Sequence, residues 1–169
     1  MTIRPSAGTL SRLAAVVGKG NAIFDAAEMA GYMCEWRDIY VGRSPLVLRP
    51  SSTEEVSRIL AIATETRTAI VPQSGNTGLA GGQIPHESGH EVLLSLDRMT
   101  KIFDVSLEGN TMMVEAGVTL KAVQDAASGV DRLFPLSLAS EGSCRIGGNL
   151  STNAGGLNVI AYGNTRELC

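Results

Sequence analysis

Two spacings of apolar residues run along this chain, and the places where one gives way to the other mark its elements. Leu10, Leu13, Ala14 and Val17 recur at i, i+3, i+4 and i+7, which predicts an amphipathic helix closed by Gly18 in the left-handed region. Residues 22–42 follow neither period. Leu46, Val47 and Leu48, ended by Pro50, read as a short buried strand. Ser52 with Glu55 three residues on predicts a capping box, and Val56, Ile59, Leu60 and Ala63 carry the helix to about Thr66. Ala69, Ile70 and Val71 are strand-like again. This βαβ order predicts a parallel pair with a right-handed crossover.

Further on, residues 92–96 form an apolar strand. Phe103, Val105 and Leu107 then alternate with Asp104 and Ser106, the period of a half-buried strand. Glu108-Gly109-Asn110 reads as a hairpin turn, with residues 111–115 returning. Leu120, Val123 and Ala127 share one helix face, and Gly129 follows its end. The last forty residues hold few periodic segments and many glycines. The predicted architecture is α+β: a small βαβ lobe over about residues 1–80, then a mainly antiparallel β lobe with helices over about 81–169. No internal repeat or linker interrupts it.

Composition narrows the class. A chain of 169 residues suits one domain and would bury roughly 70% of its unfolded surface. With 44% hydrophobic residues it is not a disordered tail. A formal charge of −3 argues against a nucleic-acid partner, which calls for a basic face. No apolar run reaches the roughly 18 residues of a transmembrane span, and residues 1–10 lack the order of a signal peptide. Cys34, Cys144 and Cys169 are odd in number and far apart, so no disulfide framework is expected and the compartment reads as reducing, the cytoplasm.

Glycine is in excess, 19 residues where roughly 7% is usual, and it crowds into two windows, 75–89 and 142–163. The first lies in VPQSGNTGLAGG, residues 71–82. It leaves a strand, yet it fits neither G-x-G-x-x-G nor the Gly-Lys-Ser/Thr phosphate loop. Ser74, Gly75, Asn76, Thr77 and Gly78 can turn several backbone N–H groups into one concavity, with the side chains of Ser74, Asn76 and Thr77 as further donors. Such a nest would hold a pyrophosphate without lysine. A structural turn is the competing reading, and chemistry alone leaves both open. The second window, GSCRIGGNLSTNAGG over residues 142–156, mixes glycine pairs with short donors and acceptors, as a flat polar ligand edge requires. A surface loop of low order is its alternative.

Other motifs promise less. His86-Glu87-Ser88-Gly89-His90 spells H-E-x-x-H, but zinc binding by that motif needs a helix, and Pro85 and Gly89 oppose one. Zinc is not expected, and both histidines read as solvated turn residues. Cys144 has no histidine placed to activate it, so thiol catalysis is unsupported. Arg37 and Arg43 read as solvated or helix-pairing residues.

The two glycine segments, with FPLSLASE at 134–141 before the second, closely resemble the FAD-binding domain of the D-2-hydroxyglutarate and D-lactate dehydrogenase family. That PCMH-type fold is shared with vanillyl-alcohol oxidase. WRDIYVGRSPLVLRPSSTEEV (36–56), EVLLSLDRMTKI (91–102) and the closing YGNTREL are similar to the same family, so the resemblance covers nearly the whole chain. It implies that the first loop, with Ser74, Gly75, Asn76, Thr77, Gly78, Leu79 and Gly82, wraps the FAD pyrophosphate. It implies equally that Pro135, Gly142, Ser143, Gly147, Gly148, Asn149, Thr152, Gly155 and Gly156 lie near the flavin. Ser74 stands where relatives commonly carry glycine; it keeps a small side chain and a free N–H, so no loss is expected. Some relatives attach FAD covalently through a histidine in the first loop, whereas Asn76 and Thr77 stand here, so non-covalent FAD is expected.

Members of that family run further, into the rest of the FAD domain, a cap and a C-terminal substrate domain. The resemblance therefore implies an N-terminal fragment of an incomplete FAD-binding domain. It implies a parent that oxidises a D-2-hydroxy acid to the 2-oxo acid, with that small acid as substrate only of the longer enzyme. No catalytic residue and no metal ligand is assigned to the chain. The rival expectation is a non-catalytic fragment whose incomplete FAD site is empty and which associates with another chain as an oligomer.

Overall fold

A computed structural model describes residues 3–169; Met1 and Thr2 lie outside the described residues. The chain divides into two compact units, the first ending at Arg98 and the second spanning Met99–Cys169. The division falls later than the expected line near residue 80, because the strand at 92–95 pairs with the strands before it.

In the first unit, helix α1 (Ala7–Val17) starts at Ser6, whose hydroxyl accepts from the Thr9 N–H, and it buries Leu13, Val16 and Val17. Gly18 ends it at φ 79° and ψ 160°. Its φ is positive, as its place predicts, but its ψ is extended rather than left-handed helical. The chain therefore leaves the helix axis at once, into a short 3-10 turn at Lys19–Asn21. Strand β1 (Ala22–Ile23) and helix α2 (Ala26–Met29, capped by Asp25) occupy the stretch without a period. Strand β2 (Val47–Leu48) leads to helix α3 (Thr53–Thr66). The Ser52 hydroxyl accepts from the Glu55 N–H as predicted, but the Glu55 carboxylate takes the Ser51 N–H at 2.7 Å, one residue before the expected partner. Strands β3 (Ile70–Gln73) and β4 (Val92–Ser95) complete the unit.

The sheet order is β1-β2-β4-β3, with β1 antiparallel to β2 and β4 parallel to both its neighbours. The expected parallel pair of β2 with β3 is thus corrected: β4 lies between them. Its four residues are all buried, and a strand covered on both faces takes the centre of a parallel sheet. Side chains alternate across it. Leu48, Val92 and Leu94 join Leu13, Val16, Val17 and Ile59 beneath α1 and α3, while Val47 and Leu93 meet Met29 on the opposite face. Arg12 and Glu65 bridge α1 and α3 through two hydrogen bonds of 3.0 and 2.6 Å. Both are exposed, so burial rather than this pair holds the helices together.

The second unit opens with strands β5 (Ile102–Ser106) and β6 (Thr111–Val114), an antiparallel hairpin bulged at Phe103, with Asn110 at φ 49° in its turn. Helix α4 (Leu120–Ser128) is capped by Thr119 and buries Leu120, Val123 and Ala127 as its periodicity predicts. Helices α5 (Ile146–Thr152) and α6 (Val159–Tyr162) and a 3-10 turn at Thr165–Leu168 follow. Leu120, Leu136 and Cys144 form the buried centre, with Phe134, Leu138, Ile146 and Leu168 packed around it.

Ile59 is fully buried between α3 and the sheet. Ile59→Ala should lower unfolding stability by about 2–5 kcal/mol, read as a lower urea midpoint with an unchanged slope.

Candidate functional site

The first glycine segment begins where β3 stops. Gln73, its last residue, is buried and aims Nε2 at the carbonyl oxygens of Tyr32 (2.9 Å) and Gln83 (3.1 Å). Asn76 sits at φ 52°, a left-handed turn that asparagine tolerates. Its Nδ2 donates to Cys34 O at 2.8 Å and Gly31 O at 3.4 Å. Gln83 Nε2 donates to Asn76 Oδ1 at 3.2 Å and to Gly78 O at 2.8 Å, and the Arg37 guanidinium donates to Leu79 O. At Gly81, with φ 76°, an added Cβ would stand 2.6 Å from the Tyr40 ring, so neither the turn nor the packing admits a side chain.

These anchors hold the segment by its carbonyls and by the Asn76 amide. Among the described residues, none of the N–H groups of Ser74, Gly75, Asn76, Thr77 and Gly78 donates to another group of the chain. Ser74 Oγ is shielded from solvent and has no partner. Successive unpaired N–H groups around a left-handed residue are the chemistry of an anion nest. The Asn76 side chain, expected as an added donor, is not available: folding commits it to residues 31 and 34. Arg37, expected to be solvated or to pair along a helix, instead braces the loop and pairs with Glu35 at 3.2 Å. Burial alone would push the Glu35 carboxyl up, but the N–H groups of Arg37 and Ile39 and the Arg37 guanidinium outweigh it, leaving Glu35 below the usual carboxylate range. Glu35, Arg37 and Gln83 were not singled out from sequence for this loop. Their signal was weak: Arg37 reaches Leu79 across 42 residues, Gln83 acts on a main-chain carbonyl that no sequence pattern marks, and Glu35 touches only its own neighbours, bearing on the loop through Arg37.

The second glycine segment is not the loop it was expected to be. Residues 146–152 are helix α5, entered where Ile146 N–H bonds to Val118 O (3.0 Å) and Gly147 N–H to Ala116 O (2.8 Å). Asn149 is only 5% exposed, and its Oδ1 is buried without a partner. The Thr152 hydroxyl donates to Gly148 O at 2.9 Å within the helix. Asn153 closes α5 at φ 51°. Arg166, beyond the segment, caps the helix by donating to Leu150 O at 3.1 Å and Ser151 O at 2.7 Å. Thr165 is fully buried, and its N–H and hydroxyl both donate to Ala154 O. Gly156 lies against the Ser137 carbonyl, where any Cβ would overlap the oxygen. Pro135 accepts through its carbonyl from Asn158 Nδ2 at 3.0 Å. Ser143 bonds through its N–H to Ser140 O, and Gly142 and Gly155 flank the helix. Cys144 is a core residue.

Residues 86–90 form turns around Gly89 at φ 66°, with no helix to place two histidines on one face. Among the described residues no group of three or more His, Cys, Asp or Glu side chains could hold a metal ion. His86 donates through its N–H and its Nδ1 to the carboxylate of Glu91, both at 2.7 Å. For Glu91, burial raises the carboxyl pKa, but the bonds from His86 and the nearby histidine charges prevail and hold it below its ordinary value. A depressed carboxylate contributes stability above the unfolded pKa near 4.3, and that contribution fades as pH falls through the folded value. Glu91→Gln should therefore be less stable than the parent at pH 7, with the gap closing below about pH 4, as chemical denaturation at each pH would read out.

Among the described residues no helix is long and apolar enough to cross a membrane. Residues 44–169 match the model of a family described as "FAD binding domain". The chain is 39% identical over 143 residues to a D-2-hydroxyglutarate dehydrogenase of Xanthomonas citri, covering 85% of this chain and 30% of that protein. It is 39% identical over 149 residues to a mitochondrial D-2-hydroxyglutarate dehydrogenase of Arabidopsis thaliana, covering 88% and 26%. Its fold is similar to that of alkyldihydroxyacetonephosphate synthase, with a TM-score of 0.84 at 19% identity over 96% of this chain and 32% of that one. It is similar also to p-cresol methylhydroxylase, with a TM-score of 0.71 at 20% identity over 92% and 32%.

Proposed function

The chain belongs to the FAD binding domain family, and we propose that it forms the cofactor-holding part of an oxidoreductase that converts a D-2-hydroxy acid into the 2-oxo acid. The observation that carries the reading is the 39% identity to D-2-hydroxyglutarate dehydrogenases over 85–88% of the chain. The chain spans only 26–30% of those relatives' length, so activity, substrate and further domains are part of the proposal. In it residues 1–169 contribute a portion of the FAD-binding domain, and the cap and substrate domain belong to the longer protein.

Bound FAD supplies the hydride acceptor; the protein supplies binding, orientation and electrostatics. In the first unit the N–H groups of Ser74, Gly75, Asn76, Thr77 and Gly78 would face the negative pyrophosphate, with Leu79 and Gly82 continuing the loop. The free N–H groups and the unpartnered Ser74 Oγ support that assignment. In the second unit Pro135, Gly142, Ser143, Gly147, Gly148, Asn149, Thr152, Gly155 and Gly156 are assigned to the flavin side, and the unpartnered Oδ1 of Asn149 supports a polar ligand there. Thr152 would act through its backbone, because its hydroxyl is bonded within α5. Attachment is proposed to be non-covalent, since residues 71–82 contain no histidine. Neither a catalytic proton acceptor nor a nucleic-acid partner is proposed for the chain. The proposed compartment is reducing, the cytoplasm, on the strength of three free cysteines; the Arabidopsis relative is named as mitochondrial.

A second reading, association with another chain without FAD, is favoured by Leu157 and Ile160, which are 90% and 102% exposed beside half-exposed Tyr162. Titration with FAD, followed by flavin fluorescence and sedimentation, separates the two. Saturable binding weakened roughly tenfold by Asn76→Ala, which frees the loop from residues 31 and 34, supports the first reading. Gly156→Ala should weaken it too, by displacing the Ser137 backbone. A colourless, oligomeric protein that ignores FAD supports the second.

A further inference from the structure

The chain has a single tryptophan, and folding leaves it uncovered: Trp36 is 71% exposed. It sits in a braced turn. The buried Glu35 carboxylate accepts from the N–H groups of Arg37 (3.0 Å) and Ile39 (2.9 Å), and Cys34 pairs with Val41 across the turn. Both sides of Trp36 are tied to the first glycine segment. Cys34 O, two residues before it, takes the Asn76 amide at 2.8 Å, and the Arg37 guanidinium, next after it, donates to Leu79 O. Farther round the turn, the Tyr40 ring lies against Gly81. An open indole is thus held in the same part of the first unit as the row of N–H groups at 74–78 that donate to nothing in the chain. Ile39 and Leu79, both more than half exposed, add apolar surface to the same turn and loop. Aromatic side chains bring a large apolar area to any contact, so one fixed in the open beside unpaired donors suits a ligand with a flat ring and a negative charge.

We propose that Trp36 seats the adenine of FAD, its indole stacking on the base. The inference rests on the reading of residues 74–78 as the pyrophosphate segment and adds to it which end of the cofactor the first unit holds. A pyrophosphate in FAD joins two flat ring systems. The flavin is assigned to the second unit, which leaves the adenine to the first. Every base has a π-face, so an indole holds one by stacking without reading its hydrogen-bonding edge. The seat is open to the ligand in the unliganded chain, since nothing has to move to uncover Trp36.

Because Trp36 is the single tryptophan, it is also the reporter. The experiment titrates the 169-residue chain with ADP, which lacks the flavin, and follows indole emission. It also measures ADP competition with FAD, and the FAD dissociation constant and apo melting temperature of the parent, Trp36→Ala and Trp36→Phe. Expected is a saturable change in indole emission, with its midpoint where ADP competes with FAD. FAD affinity should fall about five- to a hundredfold in Trp36→Ala, and Trp36→Phe, which keeps a flat ring, should recover most of the loss. Apo melting temperatures should stay at the parent's, since the side chain is exposed. FAD affinity within twofold of the parent in Trp36→Ala overturns this proposal and leaves the cofactor reading intact. So does an emission unmoved by ADP, or ADP that fails to compete with FAD. A fall in apo melting temperature matching the loss of affinity also overturns it, by making Trp36 structural. Absence of saturable FAD binding by the parent chain overturns both.

Discussion

A loop can offer its N–H groups to a ligand only if something else holds it in shape. In the first unit that task falls to side-chain donors acting on carbonyl oxygens: Gln73 on Tyr32 and Gln83, Asn76 on Cys34 and Gly31, Gln83 on Gly78, Arg37 on Leu79. Each bond satisfies an acceptor that would otherwise compete for the loop's own N–H groups. Arg37 can serve because Glu35, buried and kept ionised by two backbone N–H groups, holds the guanidinium in place. The loop is thus held in shape by polar contacts to its carbonyls and to the Asn76 amide, which leave the N–H groups of residues 74–78 unpaired.

The scaffold beneath it is a burial problem solved by one strand. β4 is covered on both faces, so it takes the centre of the sheet and forces β3 to the edge. The residues following β3 therefore leave from an open margin rather than from between two neighbours. Phosphate-binding loops in α/β sheets commonly lie beyond the carboxyl end of a strand, and here the loop follows that end of β3.

Helices α1, α3 and α4 were legible in the sequence because their apolar faces repeat at helical spacing, and β4 because its run is unbroken. The order of the sheet was not, since local periodicity carries no information about which strand sits between which. Helix α5 was hidden by its composition. Gly147, Gly148, Ser151 and Thr152 are poor or indifferent helix formers, and the helix forms because Val118 and Ala116 receive its first N–H groups and Arg166 caps its end. The glycine windows showed where a ligand could approach. They could not show that Asn76 would be committed to the carbonyl of Cys34, 42 residues away, nor that Thr152 would bond back to Gly148, because the helix that pairs those two was itself hidden by its glycines.

The bracing of the first loop also has a one-sided consequence for how the protein can vary. Its acceptors at residues 31, 32 and 34 are main-chain oxygens, which every amino acid carries, whereas its donors are specific amide side chains. Side chains at 31, 32 and 34 can therefore change without disturbing these bonds, provided the backbone keeps its path. A change at Gln73, Asn76 or Gln83 removes the contact outright. Tolerance to substitution should accordingly be distributed unevenly between two surfaces that meet face to face, wide on the side that receives hydrogen bonds and narrow on the side that gives them.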